Sequence, residues 1–355
     1  MNNQKNQKNQ IWALLQERGI VHGEQPVKLV SSSPWYIKVL LAFLGWLTSF
    51  FLVCFIALVF DVSFFKSLDF FAVIGLIIIA ASVWILRTST NEFVEHLGLA
   101  ASIAGQILVA IALFDFSHFD QTLPWLLLSM LQIVLVILVP NFVHSVLSAL
   151  AAAITFIMAI EGLSIWIYEI SFGVLMFGAA WCWLNEFRYP RQTNRIRAVG
   201  YGLVIALIIL AVTKIYWQFD QIEHVWLPLG LRQLIAGVVM LFIAQNLLQR
   251  YNQTIKSRLG LVIFIAILLT FVVSIKVEGI TLGIMIICLG FWGSNRVLMG
   301  LGVVSLLFYI SSYYYLLETT LLHKSISLFM VGLVLFFIRW LIRKNLPSRH
   351  EVSHV

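Results

Sequence analysis

Long apolar runs alternate with short polar punctuation along almost the whole chain. Runs of about 17–25 apolar residues match the hydrocarbon thickness of a bilayer when helical. Twelve are predicted, at about 37–60, 68–86, 93–114, 123–139, 142–160, 163–184, 198–217, 227–247, 259–275, 279–294, 297–317 and 324–342. Only Pro140 and Asn141 separate the fourth run from the fifth. The ninth and tenth are short, so eleven spans or a re-entrant piece also fit. The pattern predicts an all-α integral membrane protein, a polytopic bundle of about 12 transmembrane helices.

The first 34 residues break this pattern. Met1 to Gln10 is an Asn/Gln/Lys tract with nothing to bury, and its polarity argues against a cleavable signal peptide. Ile11 to Arg18 places Trp12, Leu14 and Leu15 near one helical face, and Gly19 can end that short amphipathic helix. It suits a membrane surface, a partner, or a small N-terminal cap. The predicted organisation is a polar cytoplasmic segment (1–34), a single transmembrane domain (35–342) and a cytoplasmic tail (343–355).

Composition agrees. The 355 residues are 61% hydrophobic and 11% charged, with mean hydropathy +0.96. Soluble domains carry about 25% charged residues. The net charge of +7 raises nucleic-acid binding, but no basic patch with interleaved aromatics lies outside the apolar runs, so no nucleic-acid partner is expected. The basic residues follow topology instead. With the N-terminus in the cytoplasm, the cytoplasmic segments hold all 23 Lys and Arg except Lys66, Lys214, Lys276, Lys324 and Arg232. The outer turns carry acids, among them Asp61, Asp120, Glu161, Asp220, Glu278 and Glu318. Positive-inside alternation therefore places both termini in the cytoplasm. Cys54, Cys182 and Cys288 all fall in apolar runs and form no CxxC pair, which predicts no disulfide framework and no zinc site.

A four-helix repeat is suggested over 93–186 and 197–296. Phe119-Asp120-Gln121 matches Phe219-Asp220-Gln221, Glu161-Gly162 matches Glu278-Gly279, and each block ends near an Asn and an Arg.

Ionisable groups inside hydrocarbon point to function or to structural pairing. Glu169 lies six residues into its run and Arg232 five into its own, roughly 9 and 8 Å from the same end. A Glu169–Arg232 pair would lower the cost of burying either; the alternative is that Arg232 reaches the headgroups while Glu169 faces water. Gly98, Ser102, Gln106 and Ala110 recur every four residues, a stripe that lets helices approach and lets Gln106 hydrogen-bond across the contact. Gly279 and Gly283 read the same way. Gln132, His144, Gln245 and Asn246 are read as interhelical hydrogen-bonding groups or groups near the interface. Glu92 and His96 stand at i and i+4, but no further ligand lies nearby, and no metal or cofactor is expected. HExxH, GxSxG and P-loop motifs are absent, so an enzyme reading has no local support.

The densest polarity is Tyr309 to Lys324, YISSYYYLLETTLLHK. Ser311, Ser312, Tyr315 and Glu318 fall along one helical side, and Lys324 opens the last run from the same end. With Glu169 and Arg232 they form the candidate outward polar cavity. An interfacial tyrosine belt is the competing reading.

Several stretches carry a family resemblance: Pro34-Trp35-Tyr36 with Gly45-Trp46-Leu47, LGLAASIAGQILVA at 97–110, Asn295-Arg296 with Gly300-Leu301-Gly302, and YYYLLETTLLHKS. The chain resembles a bacterial family of polytopic membrane proteins, domain-of-unknown-function family 4401. The resemblance implies a location in the bacterial cytoplasmic (inner) membrane and implies no activity, substrate or cofactor.

Two function classes follow. A transporter or permease-like protein suits many spans and buried polar groups at one depth. A membrane scaffold, partnered by another membrane protein or by a second copy, suits small-residue packing and a tyrosine belt; a lipid-modifying enzyme has least support. The topology is directly testable: phosphatase and fluorescent-protein fusions at both termini should each report the cytoplasm. A periplasmic signal from either end would overturn the alternation.

Overall fold

The structure is a computed structural model. It describes residues 12–19, helical positions 40, 43–45, 47, 48, 50, 51, 54 and 55, and then 69–89, 91–116, 122–161, 163–217, 226–250, 253, 257–276, 279–316 and 321–345. The polar tract at 1–10, most of the first predicted span, the Asp120 and Asp220 turns and the C-terminal residues 346–355 lie outside them.

The described residues are helical, with no strand among them. Residues 12–17 form a short helix, and Gly19 beyond it adopts φ 65°, the left-handed region open to glycine. The main helices are α1 (Asp69–Thr88), α2 (Glu92–Phe116), α3 (Thr122–Leu138), α4 (Phe142–Glu161), α5 (Ile165–Leu184), α6 (Thr193–Trp217), α7 (Trp226–Arg250), α8 (Arg258–Lys276), α9 (Ile280–Trp292), α10 (Arg296–Leu316) and α11 (Leu321–Asn345). They coincide with the predicted segments from 68–86 to 324–342. Six are long and apolar enough to cross a membrane, over Phe70–Thr88, Phe93–Phe116, Phe142–Glu161, Trp166–Leu184, Pro190–Thr213 and Leu231–Arg250.

Asparagine marks where several helices start. Asn91 Oδ1 accepts from Phe93 N, Asn141 Oδ1 from His144 N, and Asn295 Oδ1 from Val297 N and Leu298 N. Each bond satisfies a backbone N–H that has no partner within its own helix. Helix ends on the same side are capped by arginine from a neighbour. Arg87 donates through Nε and Nη2 to Leu138 O at 3.0 and 2.8 Å, and Arg250 donates through Nη1 to Trp292 O at 2.6 Å. A cation at a helix C-terminus meets the negative end of the dipole as well as a free carbonyl. Beside them Arg197 pairs with Glu186 at 2.9 Å, in the turn after α5. Burial pushes the Glu186 carboxyl above its ordinary range, and Arg197 offsets part of that rise. This is the basic end of the bundle.

Packing proceeds by neighbours. α1 and α2 form an antiparallel hairpin, and so do α3 and α4; α4 lies on α6, α6 on α5, α5 on α7, and α7 on α8, which also carries α11. The hairpin of α9 and α10 closes the assembly, with α9 touching α5, α6, α7 and α8. One core gathers Ile157, Met176, Trp183, Leu207, Ile243, Met285 and Leu298, and a smaller one joins Ile79, Leu99, Val109 and Leu135. Large apolar side chains such as Trp84, Met130, Val174, Val238, Phe291 and Leu307 cover the outside instead. Apolar side chains on both the inside and the outside suit helices whose solvent is lipid.

Close approach in the α1–α2 hairpin depends on glycine. A Cβ on Gly105 would lie 2.7 Å from Gly75 O, and one on Gly75 would lie 2.7 Å from Gly105 O. Backbone on both sides leaves no flexible side chain to yield. Gly98 on the same helix faces Ile85 and Leu86 of α1, and Gly283 of α9 faces Leu306 of α10. Gly105→Ala is therefore expected to lower stability by about 1–3 kcal/mol. Gly300→Ala, in open space on α10, should be neutral or stabilising by up to about 1 kcal/mol. Thermal unfolding of both variants in detergent checks the contrast, and equal effects would contradict it.

Candidate functional site

At the end opposite the basic one, α5 and α7 each bury an ionisable residue. Ser164 Oγ accepts from Ile167 N and starts α5, which places Glu169 just inside the helix. Arg232 lies one and a half turns into α7. Both side chains are buried, Glu169 at 1% and Arg232 at 7% exposure, and Arg232 Nε donates to Glu169 Oε2. The guanidinium also faces the Phe172 ring at 4.4 Å and the Tyr168 ring at 5.6 Å. Both rings come from α5, so carboxylate and aromatic faces together hold the charge.

Arg232 also lines a small cavity walled by α5, α6, α7, α8 and α9. Phe172, Arg232, Gln233, Ser274, Gly279 and Thr281 are among the residues lining it. Ser274 Oγ donates to Gln233 Oε1 at 2.9 Å, tying α8 to α7. Arg232 Nη2 and Thr281 Oγ1 are buried without a hydrogen-bond partner among the described residues. Gly279 precedes α9 with φ 91°. Its missing side chain lets the Tyr309 ring close in: a Cβ there would sit 2.5 Å from the ring carbon Cγ. Tyr309, the first residue of the polar stretch in α10, is thus fully buried against the cavity wall.

The rest of that stretch is distributed differently. Ser312 is buried, Ser311 is exposed and Tyr315 is 79% exposed; none of the three lines the cavity. Lys324 stands over the Tyr314 ring at 5.4 Å, also away from the cavity. Glu318 lies outside the described residues. The structure therefore joins Glu169 to Arg232 and sets Tyr309 against Gly279 of the same cavity, while Ser311 and Tyr315 are exposed. Sequence reasoning did not single out Gln233, Ser274 or Thr281. Their signal is faint: single polar residues near the same end of three different apolar segments.

A second polar cluster links α2, α3 and α4. Gln132 Nε2 donates to Gln106 Oε1 at 2.8 Å, and Gln106 Nε2 to Ser102 Oγ at 3.0 Å. Ser102 Oγ stands 2.9 Å from His144 Nε2, and His144 Nδ1 lies 3.3 Å from Ser148 Oγ. Ser102 Oγ accepts a hydrogen bond from Gln106, so its own hydroxyl can donate to His144 Nε2, and the His144 Nδ1–H then donates to Ser148 Oγ. Ser102 and Gln106 thus make hydrogen bonds across helices from the small-residue stripe. Asn246 instead bonds within its own helix, to Phe242 O.

Removing one member of the ion pair strands the other in an apolar setting. Glu169→Gln and Arg232→Gln should each lower unfolding free energy by about 3–5 kcal/mol. The double variant should lose clearly less than the sum, because the two effects share one interaction. Additive losses in a denaturation series would show that the two residues are not energetically coupled.

No curated protein and no solved structure matches the chain. The domain of unknown function DUF4401 matches residues 34–345, nearly its whole length, and the protein belongs to that family.

Proposed function

We propose that this is a multi-pass protein of the bacterial inner membrane with about 12 spans and both termini in the cytoplasm, and that it handles a small polar solute through a cavity near its outer face, in the manner of a permease. The observation that carries this reading is Arg232. It is an arginine inside an apolar bundle, neutralised by Glu169, and its side chain lines a cavity. Intramembrane charges that pair within the protein while facing a cavity are a recurring feature of solute paths. Supporting it, Gln233, Ser274 and Thr281 bring three helices' polar groups to the same place. The outer assignment follows from charge alternation, since the opposite end carries Arg87, Arg197 and Arg250.

A scaffold reading, with a membrane-protein partner or a second copy, draws on a different observation. The Gln132–Gln106–Ser102–His144 chain and the Gly75–Gly105 contact lock helices together in a way that suits a static body.

Thiol accessibility separates the two. In a variant lacking Cys54, Cys182 and Cys288, Thr281→Cys should react with a membrane-impermeant methanethiosulfonate added outside spheroplasts, and not with the reagent confined to the cytoplasmic face of inverted vesicles. Absence of labelling from either face in a folded protein would favour the scaffold.

A further inference from the structure

The arginines at the basic end divide into those already engaged and those left over. Arg87 and Arg250 cap helix ends, and Arg197 pairs with Glu186. Arg188, Arg191 and Arg195 are exposed, and none has a hydrogen bond or ion pair among the described residues. Glu186 is the sole acidic residue between positions 170 and 219, and it is paired with Arg197. Three like charges therefore stand within eight residues with no counter-charge on their own turn.

The turn that carries them is held by its own hydrogen bonds. Arg188 N donates to Asn185 O, and Gln192 N to Tyr189 O. Thr193 Oγ1 stands 3.1–3.3 Å from the carbonyl oxygens of Tyr189, Pro190 and Glu186. A 3-10 turn over Pro190–Gln192 runs straight into α6, so Arg191 and Arg195, four apart, share a side. Five residues, 185–189, separate the candidate spans Trp166–Leu184 and Pro190–Thr213, which sets the turn at a membrane surface. Phe187, 64% exposed, and Tyr189, 43% exposed, stand among the arginines. Charge alternation asks for cations at this end of the bundle. It does not ask for three unpaired ones on a fixed turn beside exposed aromatic rings.

We propose that the turn between α5 and α6 binds a phospholipid of net negative charge, of the phosphatidylglycerol or cardiolipin type. Guanidinium groups grip phosphate oxygens through paired N–H donors, and Arg188, Arg191 and Arg195 offer three of them. Phe187 and Tyr189 sit at the level where aromatic rings meet glycerol and the upper acyl chain. A soluble anion would leave those rings in water. A zwitterionic lipid would bring an ammonium group to a turn that already holds an excess of cations. Basic clusters beside a membrane-spanning helix attract anionic lipid by the same electrostatics. The site is independent of the permease-like reading, which concerns the opposite end of the bundle.

The test uses the purified full-length chain, stripped of bound lipid in detergent micelles, with phosphatidylglycerol, phosphatidylcholine or phosphatidylethanolamine added back. Phosphatidylglycerol should raise the unfolding temperature in a saturable manner, and the other two should not. Replacing Arg188, Arg191 and Arg195 together by Gln should weaken the apparent phosphatidylglycerol affinity about a hundredfold. Replacing Arg343, Lys344 and Arg349 by Gln removes the same number of charges near the C-terminus and should leave it unchanged. Phe187→Ser should weaken it about fivefold, the loss expected when part of one ring leaves acyl contact. Should the triple arginine variant not fold, the three single Arg→Gln variants, each expected to cost about fivefold, carry the comparison. Equal stabilisation by phosphatidylcholine overturns the proposal, as do equal losses in the two triple variants or an equal response to inorganic phosphate. A response to single-stranded DNA without one to the lipid would make the turn a nucleic-acid contact and would also overturn it.

Discussion

An arginine buried among apolar helices has to find its counter-charge inside the protein. Arg232 finds Glu169, and the requirement organises one end of the bundle. The pair fixes α7 against α5, with Phe172 and Tyr168 of α5 covering the guanidinium faces. The same side chain lines a gap left between α8 and α9. Gln233 follows Arg232 into that gap and is anchored by Ser274. Breaking such a pair leaves an isolated charge in a medium of low dielectric, which is why it acts as a structural hinge point and not merely a local contact.

The two ends of the bundle solve the same problem by different chemistry. Helix ends in or near hydrocarbon expose unpaired backbone groups. At the basic end, Asn91, Asn141 and Asn295 cap starting helices, and Arg87 and Arg250 cap finishing ones. At the other end Ser164 caps α5, but α9 starts at Gly279 with no side-chain cap. Glycine there is imposed by two demands together. The backbone is left-handed at φ 91°, and the Tyr309 ring occupies the space of a side chain. The cap is sacrificed to let α10 pack on α9.

Between the ends, contact distance and hydrogen bonding divide the work of holding helices together. Lipid offers no hydrophobic incentive for one helix to prefer another helix over acyl chains, so van der Waals fit and interhelical polar contacts decide. The α1–α2 hairpin uses fit, through Gly75 and Gly105. The junction of α2 with α3 and α4 uses hydrogen bonds, through Gln106, Gln132, Ser102 and His144. Trp183, wholly buried and edge-on to Tyr201 at 4.8 Å, does the equivalent by aromatic packing where α5 meets α6.

Hydropathy and its polar breaks were enough to locate α1 to α11, because helix formation in an apolar run is forced by backbone hydrogen bonding and ends where Asn, Pro or Gly interrupts it. Depth arithmetic was enough to set Glu169 level with Arg232, since rise per residue is fixed in a helix. Neither could say which helices are neighbours. Ser274 and Thr281 gain meaning only once α8 and α9 are placed beside α7, and Tyr315 looked like part of a polar face until α10 turned it outward while burying Tyr309. The sequence pattern pointed to Gly98 and Gly283, whereas Gly105 stands out only because Gly75 packs against it. The sequence alone determined the elements, their apolar character and the depth of their charges, because these depend on local composition and helix geometry. The tertiary structure decided which polar groups meet, because that depends on the rotation and pairing of helices, which a one-dimensional pattern of hydrophobicity does not encode.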